Sequence, residues 1–237
     1  MEQEQGFIDY IEQSIIKNWD RNALTDYKGI TLQYKDVARK IAKFHIVLES
    51  AGIRPGDKIA VCGRNSAHWA VAFLATVTYG AVIVPILHEF KADNIHNIVN
   101  HSEAKLLFVG DRAWENLNEE AMPLLMGIVL LTDFTPVVCR NEQLMEAFEH
   151  RNVLYGTRFP QEFPPRAYQL PQGGITRRTG CHQLYFRHDK PFERRNDSLS
   201  RPLVQSGICQ GSIKSAHENR RQRDFHVAHG SHVRDGF

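Results

Sequence analysis

Near the end of the chain, histidine recurs every third residue, at His226, His229 and His232 in the stretch HVAHGSH. Imidazole is a metal ligand, and a structural zinc needs about four ligands that close around it. Cys209 and His217 would complete a set with these three histidines, but their spacing matches no standard finger. The same region is basic: residues 166–237 carry 13 Lys+Arg against 6 Asp+Glu, whereas residues 1–165 carry 16 against 21. A basic arm of this kind binds phosphates through charge alone. Zinc site and nucleic-acid arm are thus two chemistries that residue types alone would support.

The first 165 residues offer less. His88, His96 and His101 lack tight metal spacing, and His45 and His68 fall on helical stretches as packing or surface residues. Cys62, Cys139, Cys181 and Cys209 form no CxxC pair, which argues against a disulfide or zinc framework and fits a reducing, cytoplasmic setting. The turn GRNSAH (Gly63–His68) is poor in glycine for a phosphate loop and reads as a strand-to-helix turn. The N-terminus is acidic and polar, unlike a signal peptide. The uncharged run Trp69–Leu87 is long enough for a membrane span. Gly80 and Pro85 interrupt it, however, and its second half is β-branched, so a buried helix followed by a buried strand is expected.

The elements that would position any such chemistry alternate. Val37, Ala38, Ile41, Phe44, Val47, Leu48 and Ala51 mark one helical face, with Asp36 as N-cap and Gly52 as the stop. Strands are expected at Asp57–Gly63, Ala81–Ile86, Lys105–Gly110 and Gly127–Thr132. Between them fall a helix capped by Asn65 or Ser66, a helix capped by Asp93, and a short helix in RAWENLNEEAMP. A further helix follows in RNEQLMEAFEH. Continuous apolar strands separated by helices imply an α/β fold, a doubly wound parallel sheet covered on both faces.

These residues carry a family resemblance. The stretch from Gly29 to Ile86 resembles the opening segment of adenylate-forming (AMP-binding) enzymes, in particular the long-chain fatty acid–CoA ligases. Its landmarks are Thr31 and Tyr34, GIRPGDKIAV (Gly52, Gly56, Asp57), Asn65 and Trp69, and GAVIVPI (Gly80, Pro85). HSEAKLLFVGD (His101–Asp111) resembles the next strand, and the likeness covers residues 25–165. The resemblance implies a partial doubly wound sheet, the N-terminal part of an AMP-binding domain. It implies ATP, Mg and coenzyme A as the parent family's cofactors and a fatty acid as substrate. Peripheral membrane association follows from the substrate class alone. It further implies a phosphate loop of the form YTSGTTGxxKG soon after residue 165, which the chain does not show there.

From Arg166 the pattern changes. Leucine, isoleucine, valine and phenylalanine make up fewer than one residue in five over 166–237, below the level that supports a core. Arginine outnumbers lysine there 11 to 2, against 8 each before it. A disordered tail is expected. Read one nucleotide later, the codons for Leu184–Arg195 permit YTSGTT followed shortly by KG, the missing loop at the place where it is due. The position after TT permits Asn or Ser, not the usual Gly. The codons for Glu218–Gly236 likewise permit a stretch containing LPMAHMYG, another family landmark. A methionine codon preceded by C reads, one base earlier, as CAT, so His226, His229 and His232 are the out-of-frame images of three methionines.

The reading is therefore a frame-shifted, truncated fragment of a fatty acid–CoA ligase: residues 1–165 from the N-terminal part of the AMP-binding domain, residues 166–237 out of frame. No residue is assigned a catalytic, cofactor-binding or metal role, and the chain is expected to be inactive with no specific nucleic acid as partner. Loss of later strands would leave an apolar sheet edge open to aggregation. The competing reading is an α/β binding module with a basic nucleic-acid-binding arm. A module that regulates an intact ligase is the third.

Overall fold

A computed structural model describes residues 6–159, 165 and 168–170. The chain starts with helix α1 (Phe7–Lys17) and a hairpin of β1 (Asn22–Thr25) and β2 (Thr31–Gln33), neither foreseen from the sequence. Helix α2 (Tyr34–Ser50) follows, and all seven residues of the expected apolar face are buried. Asp36 is not its N-cap: Gln33 holds that place, and Asp36 sits in the first turn accepting the Gln33 N–H at 3.0 Å. The carboxylate still satisfies an orphan donor and meets the positive helix end, from inside the helix. Gly52 ends the helix as expected. Its φ of +74° lets Gly52 and Ile53 donate to Glu49 and Leu48, both at 3.0 Å.

Strand β3 (Lys58–Cys62), helix α3 (Ala67–Tyr79), β4 (Val82–Ile86), α4 (Ala92–Ser102) and β5 (Leu106–Val109) then alternate. The uncharged run is thus α3 and β4, and among the described residues no helix is long and apolar enough to cross a membrane. Ser66 caps α3, its hydroxyl accepting the Trp69 N–H at 3.1 Å. Asp93 does not cap α4; Lys91 is the N-cap without a side-chain bond, and Asp93 lies in the first turn. The short helix α5 (Asp111–Trp114) and a 3-10 turn (Glu119–Ala121) precede β6 (Gly127–Leu130). β7 (Pro136–Cys139), α6 (Glu142–Glu149) and α7 (Arg151–Arg158) complete the described elements.

The sheet order is β4-β3-β5-β6-β7. The first four strands are parallel, as expected, and β7 adds an antiparallel edge. Side chains alternate across it. Ile59, Val61, Leu106, Phe108 and Val129 join α1, α2, α3 and α6 in one core. Ala60, Cys62, Leu107, Val109 and Ile128 join α4 and the 111–126 segment in the other.

The edges of the sheet are β4 and β7, and each carries a proline. Val82 donates to the Asp57 carbonyl at 2.8 Å, so by alternation the backbone nitrogens of Ile83 and Pro85 face away from β3. Pro85 removes a donor from that open side, the position where edge strands tolerate proline. At the other edge, Pro136 opens β7 beside an irregularity in its pairing with β6. Both devices discourage a further strand. Past α7, Tyr168 and Leu170 are buried in the first core, and the Leu170 N–H donates to Glu12 Oε2 at 2.7 Å. The rest of 166–237, including the expected disorder, lies outside the described residues.

Candidate functional site

In an open α/β sheet, ligands bind beyond the carboxyl ends of the strands, where the order reverses. Here that point is β3, which has β4 on one side and β5 on the other. The loops Gly63–Ser66 and Gly110–Asp111 diverge from it. Their backbones meet: Gly110 donates to the Cys62 carbonyl at 2.9 Å, and a Cβ on Gly110 would lie 3.5 Å from Gly63 Cα. A Cβ on Gly63 would collide with the Leu131 side chain. Two glycines therefore let the loops close over the strand ends, leaving little room between them.

The charges around this crevice do not suit a phosphate. A helix N-terminus attracts anions through its orphan N–H groups, but α3 has two of these engaged. Ser66 Oγ takes one, and Asp26 Oδ1 accepts the Ala67 N–H at 2.7 Å from the hairpin turn. The Asp26 carboxylate thus occupies the position an incoming phosphate would need. Across the crevice, the exposed Asp111 carboxylate accepts a bond from Thr132 Oγ1 at 2.6 Å. GRNSAH is a strand-to-helix turn, and these residues do not fit a nucleotide.

The titratable residues are structural. His45 lies between α2 and α3, its Nε2 at 3.1 Å from the Ala75 carbonyl and 3.0 Å from Thr78 Oγ1. Thr78 donates its own proton to Leu74 O at 2.6 Å, so Nε2 carries the hydrogen. Burial lowers the His45 pKa to about 4. His96 accepts the Asn118 N–H on Nε2 at 3.1 Å, which ties α4 to the segment before β6. His68 packs its ring 4.7 Å from that of Phe134. Burial pushes the Cys62 thiol up to about 11, far from a reactive thiolate. Among the described residues, no group of three or more His, Cys, Asp and Glu side chains could hold a metal. Cys209, His217, His226, His229 and His232 lie outside them, as does Leu184–Arg195.

Comparison with known proteins decides the family. AMP-binding enzyme matches residues 11–167. The chain belongs to the AMP-binding enzyme family. The match begins inside α1 and spans every described element after it. Among curated AMP-binding relatives, the chain is 27% identical over 146 residues to long chain acyl-CoA synthetase 3 of Arabidopsis thaliana. That alignment covers 61% of this chain and 22% of the relative. It is 39% identical over 80 residues to acetyl-coenzyme A synthetase of Chlorobaculum tepidum, covering 34% of this chain and 12% of that protein. The match thus spans about a fifth or less of these relatives' lengths. A solved long-chain-fatty-acid-CoA ligase from Archaeoglobus fulgidus shares the fold with a TM-score of 0.51 at 19% identity. It covers 62% of this chain and 30% of that one.

Within the AMP-binding family frame, residues 6–159 form a scaffold. They supply two packed helical layers around a sheet.

Proposed function

We propose that this chain is the N-terminal part of a long-chain fatty acid–CoA ligase whose reading frame changes between Pro164 and Arg166. The parent reaction joins a fatty carboxylate to the α-phosphate of ATP, releasing pyrophosphate. The acyl group then passes to the coenzyme A thiol, releasing AMP. The likeness to long chain acyl-CoA synthetase 3, which runs over 146 residues, carries the substrate class. The coding capacity of Leu184–Arg195 carries the rest, because its next frame permits the family's phosphate loop. In the frame as written, that segment reads LYFRHDKPFERR and lacks the run of small hydroxyl and glycine residues that wraps a triphosphate. The chain as written is accordingly inactive. Residues 1–165 are its AMP-binding part and 166–237 its out-of-frame tail. Fatty acid, ATP, Mg and coenzyme A are ligands of the in-frame parent, in the cytoplasm with peripheral contact to membranes.

Two measurements test this. Resequencing the coding DNA across Phe163–Arg166 should show one surplus base or two missing ones against an in-frame relative. Purified chain should exchange no radiolabelled pyrophosphate into ATP with palmitate, while a variant restored to the other frame should. Exchange by the chain as written sinks the proposal. The basic charge of 166–237 supports the nucleic-acid arm as the competing reading. Salt-sensitive DNA binding that is lost with the tail would favour it.

A further inference from the structure

Helix α1 is weakly anchored by its own sequence. Of its 11 residues, Ile8 and Ile15 alone are buried. A helix of that length is marginal in water by itself, so its stability comes from whatever packs on its apolar face. α2 packs against it. A second cover comes from the far end of the described chain. Tyr168 and Leu170 are 2% and 3% exposed and lie in the same core as Ile8 and Ile15. Gln169, between them, is exposed.

That in–out–in pattern is the period of an extended chain, yet among the described residues it pairs with no strand. Its buried backbone donors are satisfied all the same. Tyr168 donates to the Pro165 carbonyl at 3.2 Å, and Leu170 donates to Glu12 Oε2, midway along α1, at 2.7 Å. The Tyr168 ring stands 6.3 Å from that of Trp19, just past the end of α1, at an angle of 57°. Buried nitrogens left without partners are costly, so a fit that supplies one to each marks a built contact. The bond to a carboxylate is also of the stronger, charge-assisted kind.

We propose that residues 168–170 form a strap that locks α1 onto the domain, with Glu12 as its latch. Leu170 lies 158 residues beyond Glu12 and follows every helix and strand described. α1 is therefore made first and locked last. Release of the strap bares Ile8, Ile15 and Trp19 and leaves the sheet closed, so α1 opens ahead of global unfolding. The strap is a property of the chain as written. The ligase reading rests on the family match and on the codons of Leu184–Arg195, so it stands or falls separately.

The test is amide hydrogen exchange, read by mass spectrometry on the full chain and three variants. In wild type, peptides from α1 should exchange faster than those from β3 and β5. Leu170→Ala should speed α1 at least about thirtyfold further, as loss of a buried leucine entails. Glu12→Ala removes only the latch and should speed α1 at least about tenfold, the loss of a hydrogen bond to a charged group. The control is Ile128→Val, in the core on the opposite face of the sheet. It should speed β3 and β5 and leave α1 within about twofold of wild type, because that core stays packed when the strap opens. Unchanged α1 exchange in Leu170→Ala and Glu12→Ala overturns the proposal. So does α1 exchange that follows β3 and β5 in every variant, since α1 would then open only when the whole domain unfolds. Should Leu170→Ala fail to fold, Glu12→Ala and the control decide under the same criteria.

Discussion

Acidification should weaken the fold through His45, and the size of the effect follows from its surroundings. The ring is wedged between α2 and α3 with Nε2–H shared between Ala75 O and Thr78 Oγ1. A second proton would put a charge where burial has stripped its water, which is why the folded pKa falls to about 4 from the ordinary 6.5. As pH drops through 6.5, the unfolded chain takes up that proton and the folded chain does not. The stabilisation is complete above pH 6.5, is lost between 6.5 and 4, and changes no further below. Each pH unit in that window removes about 1.4 kcal/mol, so the whole span removes on the order of 3 kcal/mol. Urea melts of wild type and His45→Gln from pH 7.5 to 4 provide the assay. Glutamine keeps a donor toward Ala75 and cannot titrate, so the variant should lose about 1 kcal/mol at pH 7.5. The gap between the two proteins should then close near pH 6 and be reversed by about 1 kcal/mol at pH 5. Parallel curves down to pH 4 would refute the reasoning and show that the ring takes its proton inside the fold.

Three further outcomes follow from packing and capping. A Cβ on Gly127 would lie 2.5 Å from Leu144 Cδ2 and 2.8 Å from the Val138 carbonyl oxygen. Gly127→Ala should therefore cost about 1–3 kcal/mol, and adding Leu144→Ala should not recover it, because the backbone clash remains; chemical denaturation of both variants checks this. Replacing Asp26 by Ala strips the Ala67 N–H of its partner and should cost about 1–2 kcal/mol, with faster amide exchange confined to the first turn of α3. Pro85→Val restores an outward-facing donor to β4 and should raise light scattering at high protein concentration while leaving the melt within about 1 kcal/mol. An unchanged scattering curve would show that another feature guards that edge.

Much of the scaffold was legible because burial writes itself into spacing. The seven apolar positions of α2 recur on one helical face, and β3 to β6 are unbroken apolar runs because both faces are covered. Of the elements that escaped, α1 carries that imprint in Ile8, Ile11 and Ile15, and the others lack it. β1, β2 and β7 have three or four residues each, too few to display alternation. α7 has no buried residue, so no face stands out. Asp36 and Asp93 were placed one function away from their roles. A carboxylate at the N-cap and one in the first turn both meet the positive end of the helix, and sequence does not separate them. The switch point was invisible for a different reason. It is a property of strand order, and its decisive contact joins Asp26 to Ala67 across 41 residues. The tail stands apart in its apolar content and its arginine-to-lysine ratio as well as in its codons.

Every pairing in the main sheet joins strands that are neighbours in the chain or one strand removed, all within Lys58–Cys139. A ribosome makes those 82 residues in about 4–16 s at ordinary elongation rates. Mixed α/β sheets with such local connections close in milliseconds to seconds. Every strand of the sheet is thus encoded before the codon at which the frame is proposed to change, and only Tyr168 and Leu170 of the described core come after it. Most of the scaffold is therefore specified ahead of that point, and an error there leaves its strands and helices as they are written. A gene damaged at this point would still encode that scaffold, and selection could act on its product before the lesion is repaired or the locus lost.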